Sequence, residues 1–113
     1  MLKKILSIIS FLSIISLPTE NYNEPFIGIW TEVHSSETIQ VFRSENEDVF
    51  FEHFLENILV ASGQMEAGKL EIIVNRSDID SKYKLEYSFS PDKQVLSVMK
   101  PNSTEAWLLY KIR

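Results

Sequence analysis

The sequence predicts an all-β fold, a small up-and-down antiparallel barrel or strongly curved sheet of about eight strands. Short apolar runs follow one another from residue 26 to residue 113, separated by short polar turns at a spacing of roughly 8–12 residues, which is typical of antiparallel sheets. After residue 20, apolar residues do not recur at a helical period. The 113 residues, 44% hydrophobic and 24% charged, suit a single globular domain.

The first twenty residues differ in composition from the rest of the chain. Lys3 and Lys4 precede thirteen residues, 5–17, that are all Ile, Leu, Phe or Ser. A basic start followed by a short apolar run is typical of a secretory signal sequence, and the run is shorter than the roughly 20 residues that span a bilayer. We therefore expect residues 1–20 to be a helical signal peptide and the mature protein to be periplasmic or secreted. An uncleaved membrane anchor and a buried N-terminal helix are the alternatives.

Residues 21–25 form a polar linker, and residues 26–113 form the domain. The first strand carries Gly28 and Trp30. Because glycine has no side chain, another group can come close to the large Trp30 ring at this point. The clearest strand is 82–89, because alternate residues share one apolar face. Residues 50–51 and 60–61 are apolar on both faces, which indicates a covered strand or a bulge, and 52–57 could form one helical turn. The predicted strands cover residues 26–33, 38–43, 49–55, 58–65, 70–75, 82–89, 94–99 and 105–112.

Closure of the sheet is the expected arrangement of these strands. An open meander would leave two exposed edges, whereas pairing of the first and last strands removes both. The last strand reaches the C-terminus of the chain, so it is the natural partner of the strand that carries Trp30. Eight strands enclose an interior that side chains either fill or leave open for one small ligand.

The Gly28-x-Trp30 motif and a basic residue in the last strand resemble the lipocalin and fatty-acid-binding superfamily, and in particular its short bacterial lipocalin-like domains. The resemblance implies that Trp30 closes the floor of the barrel beside Gly28. It also implies that a basic side chain from the last strand, Lys111 or Arg113, packs across the indole. Such a cation–π contact contributes roughly 0.5–2 kcal/mol, depending on burial.

Composition disfavours several classes of function. Residues 21–113 contain nine Lys and Arg against fifteen Asp and Glu, a formal charge of −6, which disfavours nucleic acid as a partner and favours solubility. The chain has no cysteine, so no disulfide can form. His34, expected in a turn, and His53, expected on the surface, lack the spacing of a metal site. With three glycines and no nucleophile motif, we expect no cofactor and no enzymatic activity.

Two functions are the main hypotheses for a non-enzymatic module, and an enzyme accessory or structural envelope component is a third. In the first, the barrel mouth binds a small hydrophobic or amphiphilic ligand through the aromatic side chains Tyr83, Tyr87, Trp107 and Phe51. In the second, the domain is an inhibitor or immunity-type protein whose acidic loop, residues 45–48, meets a basic partner protein. A membrane contact is expected only through an uncleaved leader.

Overall fold

The computed structural model describes residues 21–113, and the predicted signal peptide, residues 1–20, lies outside the described residues. The prediction of an all-β antiparallel fold of eight strands is confirmed. In residues 21–113 we find no helix with the length and hydropathy needed to cross a membrane. A 3-10 turn at Glu24–Phe26 precedes the strands β1 (Gly28–Glu32), β2 (Glu37–Arg43), β3 (Val49–Leu55), β4 (Ile58–Ala67), β5 (Glu71–Arg76), β6 (Ser81–Phe89), β7 (Val95–Met99) and β8 (Ala106–Lys111).

The eight strands close into a barrel in which each strand pairs with the next and β8 pairs with β1. Trp30 stands opposite Lys111 in the β1–β8 register. Two further backbone bonds extend this pairing past β8, from Ile29 N–H to the Arg113 carbonyl at 2.8 Å and from Ile112 N–H to the Ile29 carbonyl at 2.7 Å. The predicted pairing of first and last strands is therefore confirmed, and neither edge of the sheet is left open.

One end of the barrel, which we call the floor, is plugged by Phe26 and Trp30. Phe26 was expected in the first strand, but Pro25 and its fixed φ favour the 3-10 turn, which carries Phe26 beneath the barrel. Trp30 is fully buried, and its indole N–H donates to the Phe26 carbonyl at 2.9 Å. The Phe26 ring packs edge-on against Phe89 at 4.8 Å and Tyr87 at 4.9 Å between centroids.

The β3–β4 hairpin replaces the helical turn considered for residues 52–57. β3 continues to Leu55, and Glu56 and Asn57 form a two-residue turn with φ of 52° and 69°. Positive φ at both positions is the signature of a type I′ turn, whose twist matches that of the flanking strands. The β3–β4 register shifts between His53 and Phe54. A bulge here agrees with the apolar residues predicted on both faces of this hairpin.

At the mouth end of β6, the barrel wall lacks strand pairing with β7. β6 pairs with β5 along residues 81–86 but with β7 only at Tyr87, Ser88 and Phe89. Residues 81–86 therefore lie outside the β6–β7 register, and we call this place the β6–β7 seam. It borders the loop between β7 and β8.

Candidate functional site

The barrel encloses a cavity. A cavity of about 330 Å³ extends from Trp30 at the floor to the opposite end, which we call the mouth. This is about twice the roughly 150 Å³ cavity that holds a benzene molecule. Its wall is aliphatic and aromatic apart from His53 and Arg76, which lie near the mouth. An apolar cavity with a few polar groups at one end is the usual form of a small-molecule site.

The sizes of the interior side chains differ between the floor and the rest of the barrel. Near the floor, Phe26 and Trp30 occupy the barrel together with Met65 and Leu96. Nearer the mouth, Ala61 and Val98 contribute small side chains to a wall that also contains the larger side chains of Tyr83 and Trp107. Where small side chains face the interior and no neighbouring side chain fills the space beside them, a cavity remains.

A histidine–carboxylate pair lies at the mouth. His53 Nε2 is 2.7 Å from Glu37 Oε1, and both side chains are largely buried, with 16% and 22% of their surfaces exposed. The other carboxylate oxygen of Glu37 accepts a hydrogen bond from Ser35 Oγ at 3.0 Å. The His53 ring meets Trp107 edge-on at 6.1 Å between centroids. His53 therefore lies on the inner wall, and the expectation of a surface residue was wrong.

Arg76 lines the cavity and is paired with Asp78. Its Nε and Nη2 donate to the two carboxylate oxygens at 3.0 Å and 2.5 Å, and Nη2 also lies 3.4 Å from the Val60 carbonyl. Hydrogen bonding to Arg76 is the main reason that the pKa of Asp78 is lowered to about 2. The pKa of Arg76 is raised, chiefly by Asp78. The pair is therefore ionised on both sides at neutral pH.

Three of the four aromatic residues predicted to bind a ligand line the cavity. Tyr83, Trp107 and Phe51 come from three different strands and meet in its wall. Tyr87 lies near the floor, because four residues along β6 from Tyr83 correspond to about 13 Å. There its ring packs on Phe26 and its hydroxyl donates to the Gly68 carbonyl. Tyr87 is therefore part of the floor packing and does not border the cavity.

The residues predicted to close the barrel meet at the floor. Lys111 Nζ lies 5.7 Å from the centroid of the Trp30 ring. A Cβ added at Gly28 would come 2.9 Å from Lys111 Cε and 2.5 Å from the Arg113 carbonyl oxygen, so the missing side chain gives the lysine stem its path. Arg113 contributes through that carbonyl, which accepts the Ile29 N–H, and its side chain is exposed.

Exposed aliphatic side chains surround the mouth. They come from the β1–β2 loop, the β3–β4 hairpin and the β5–β6 loop, and between 42% and 67% of each residue is exposed. Val60 belongs both to this group and to the cavity wall, so the apolar surface continues from the outside inward. The members are Val33, Leu55, Ile58, Leu59, Val60 and Ile79.

Two other surface features lie near the floor end, away from the cavity. A shallow groove of about 670 Å³ beside the β4–β5 turn is larger than the cavity, but exposed charged side chains such as Glu66, Lys69 and Lys84 form much of its wall. The acidic loop, residues 45–48, joins β2 to β3. Arg43 partly neutralises it through Glu47, at 3.5 Å, and also pairs with Glu24 at 2.5 Å.

Sequence reasoning missed the polar residues of the mouth, although strand periodicity contains the signal. Glu37 has the same parity as Ile39 and Val41 on β2, and Arg76 the same parity as Val74 on β5. His53 likewise follows Phe51 by two residues. Period-two alternation places all three on the inner face.

Among residues 21–113, His, Asp and Glu side chains do not gather in groups of three that could hold a metal ion. Comparison of the chain with protein-family models, curated proteins and solved structures finds no match. Any assignment of function therefore depends on the geometry of the barrel.

Proposed function

We propose that the protein is an exported, non-enzymatic binding module that holds one small amphiphilic molecule in the barrel, with the apolar part inside and the polar part at the mouth. The observation that supports this most directly is the apolar cavity of about 330 Å³ above the fully buried Trp30. Apolar surface in an open cavity favours a ligand that removes it from water.

The arrangement of polarity along the cavity sets the expected orientation of the ligand. The deep end is formed by Trp30, Leu96 and neighbouring aliphatic residues, which offer no polar partner to a buried head group. His53 and Arg76 lie at the opposite end, where water also has access. A polar group would lose its hydration in the deep end without compensation, so it belongs at the mouth.

Kinship with the lipocalin-like domains and export from the cell are parts of the same proposal. The contact of Lys111 with Trp30 beside Gly28 is the arrangement that the resemblance implied, and it supports the kinship. The composition of residues 1–20 supports export. A carrier or sensor of small amphiphiles in the periplasm or outside the cell would combine both features.

The proposal is tested by titrating the full chain with N-phenyl-1-naphthylamine, a neutral dye whose emission rises in apolar surroundings. We expect saturable binding and displacement of the dye by 1-octanol. Ala61→Leu places a larger side chain in the cavity and should weaken dye binding severalfold. The matched control, Ala106→Leu, makes the same change at an exposed position of β8 and should bind as the wild type does.

Circular dichroism of each variant establishes that the barrel is intact before the titrations are compared. A wild-type chain that leaves the dye emission unchanged would refute the proposal. Equal dye affinity of wild type and folded Ala61→Leu would also contradict it, because binding would then occur outside the cavity.

A further inference from the structure

We propose that the ligand held in the barrel carries a positively charged head group, such as an ammonium. This inference rests on the proposed function and names the chemical class of the ligand. It follows from the charges at the mouth, the hydrogen bonds that these groups already make, and the aromatic rings beside them.

Arg76, the cation that lines the cavity, is already paired with a carboxylate. Arg76 gives Nε and Nη2 to Asp78 in a two-point pair, and Nη2 also reaches the Val60 carbonyl. The Nη1 group of Arg76 has two further N–H donors, but an anion bound there would lie close to the carboxylate of Asp78, whose charge opposes it. Because Asp78 already neutralises the charge of Arg76, an incoming anion gains less from Arg76 than it would from an unpaired guanidinium.

The four ionisable groups at the inner rim carry no net positive charge in either state of His53. Arg76, Asp78 and Glu37 sum to −1, and protonation of His53 brings the set to zero. Glu37 accepts from His53 and from Ser35, but a carboxylate has about four acceptor positions, so it keeps capacity for a further donor. An ammonium N–H can use that capacity, and a quaternary ammonium gains from the charge alone.

The charge of the wider mouth has the same sign. The strand ends and loops there carry three cations and six carboxylates, a formal charge of −3 with both histidines neutral. Glu32 belongs to this set, and hydrogen bonds from the backbone N–H of His34 and then Leu108 lower its pKa, which keeps it ionised. The members are Glu32, Glu37, Glu56, Arg76, Asp78, Asp80, Lys82, Lys100 and Glu105.

Aromatic side chains at the rim add an attraction that only a cation receives. Trp107 and Tyr83 line the cavity on the mouth side of Phe51. A cation over such a ring interacts with the negative face of its π system, and quaternary ammonium ligands are often held in this way. Lys100 Nζ already lies 5.7 Å from the centroid of the Trp107 ring, so a ligand cation would share this ring with Lys100 or displace it.

The test compares three molecules that share an eight-carbon tail: octyltrimethylammonium, 1-octanol and octyl sulfate. Each molecule is added to the full chain with bound N-phenyl-1-naphthylamine, at concentrations below those at which it aggregates, and displacement of the dye is measured. We expect octyltrimethylammonium to bind more tightly than octyl sulfate by about tenfold, which corresponds to about 1.4 kcal/mol, with 1-octanol between them. Added salt should reduce the difference, because the mouth is open to solvent.

Two variants separate the contributions of the mouth. Glu37→Gln should weaken binding of octyltrimethylammonium severalfold and leave 1-octanol unchanged. Asp78→Asn should strengthen binding of octyl sulfate, because Arg76 loses its partner. Glu45→Gln is the matched control: it makes the same change of net charge in the loop near the floor and should alter none of the three affinities.

The outcomes distinguish the two proposals. If octyl sulfate binds as tightly as octyltrimethylammonium, or 1-octanol binds most tightly of the three, the inference about the head group is overturned while the proposed function stands. If neither the dye nor any of the three molecules binds, the proposed function itself fails.

Discussion

At the scale of single residues, Gly28 decides how the floor closes. Its φ of 144° lies in a region that L side chains rarely adopt, and an added Cβ would stand 2.5 Å from the Arg113 carbonyl oxygen. The requirement is therefore both conformational and steric. Gly28 lets the start of β1 lie close to the Arg113 backbone, and this contact is part of the closure of the barrel.

We expect Gly28→Ala to lower the free energy of unfolding by roughly 1–3 kcal/mol, the usual cost of a strained backbone conformation. Urea unfolding followed by tryptophan fluorescence measures the change. Gly68→Ala is the matched control, because an added Cβ there would meet its nearest atom at 3.6 Å, an ordinary contact. Equal stability of the two variants would show that Gly28 is not needed for closure.

The two basic residues at the C-terminus are expected to differ in importance. Lys111→Met keeps the apolar stem but removes the ammonium above Trp30, so we expect a loss of roughly 0.5–2 kcal/mol in the free energy of unfolding. Arg113→Met should have little effect, because Arg113 acts through its backbone carbonyl. The same urea experiment decides between them, and a larger loss for Arg113→Met would contradict the assignment.

Asp78 should make part of the stability dependent on pH. Its pKa in the folded protein is about 2, below the value of about 3.9 in an unfolded chain. A lowered pKa stabilises the fold at pH above about 4, and this contribution is lost as the pH falls towards 2. Asp78→Asn should therefore lose less stability than the wild type between pH 4 and pH 2 in urea unfolding.

The comparison has an internal control in Arg76→Gln. Without the guanidinium the main cause of the lowered Asp78 pKa is gone, and only backbone hydrogen bonds such as that from Ser62 still lower it. Adding Asp78→Asn to this variant should therefore change its pH dependence less than the same substitution does in the wild type. A pH dependence that is the same in wild type and Asp78→Asn would show that the pair does not contribute to acid stability.

At the scale of elements, the β3–β4 hairpin contains a local mismatch between sequence and backbone. Glu56 occupies the first position of the turn with φ of 52°, where asparagine and glycine are preferred. Asparagine tolerates this left-handed conformation because its short polar side chain can hydrogen-bond to the nearby backbone. The longer side chain of glutamate does not provide this stabilisation. The strands on both sides, β3 and β4, hold the turn in place.

Glu56→Asn is expected to raise the free energy of unfolding by on the order of 0.5–1 kcal/mol, since it relieves part of this strain. Thermal and urea unfolding measure the gain. The same change at Glu45, whose φ is not positive, should be nearly neutral. A loss of stability in Glu56→Asn would indicate that the glutamate side chain makes a contribution that outweighs the strain.

At the scale of the whole molecule, local patterns were sufficient to predict the fold. Alternation in β6 and the turn signals between runs identify the strands, and the strand character of the final residues implies closure onto the strand of Trp30. Each of these signals lies within a few neighbouring residues. Phe26 departs from the prediction because Pro25 acts on the backbone locally and more strongly than the apolar pattern does.

The site was less predictable because it depends on residues that are distant in sequence. The cavity exists because Ala61 and Val98, on strands that do not touch, are both small. Likewise, whether His53 is tolerated inside depends on Glu37, sixteen residues earlier. Sequence alone showed the aromatic composition of the interior but could not decide whether it was filled or open.

The β6–β7 seam gives the barrel wall a weak place. In an antiparallel sheet successive amides alternate between the two neighbouring strands, so about half of those in residues 81–86 point away from β5, towards the side where β7 does not pair. Amide hydrogen exchange followed by NMR should find them less protected than the amides of β3, which is paired along both edges. If β6 moved away from β7 at the seam, the mouth would widen on that side. A molecule broader than the closed mouth could then enter while the other strand pairs stay intact.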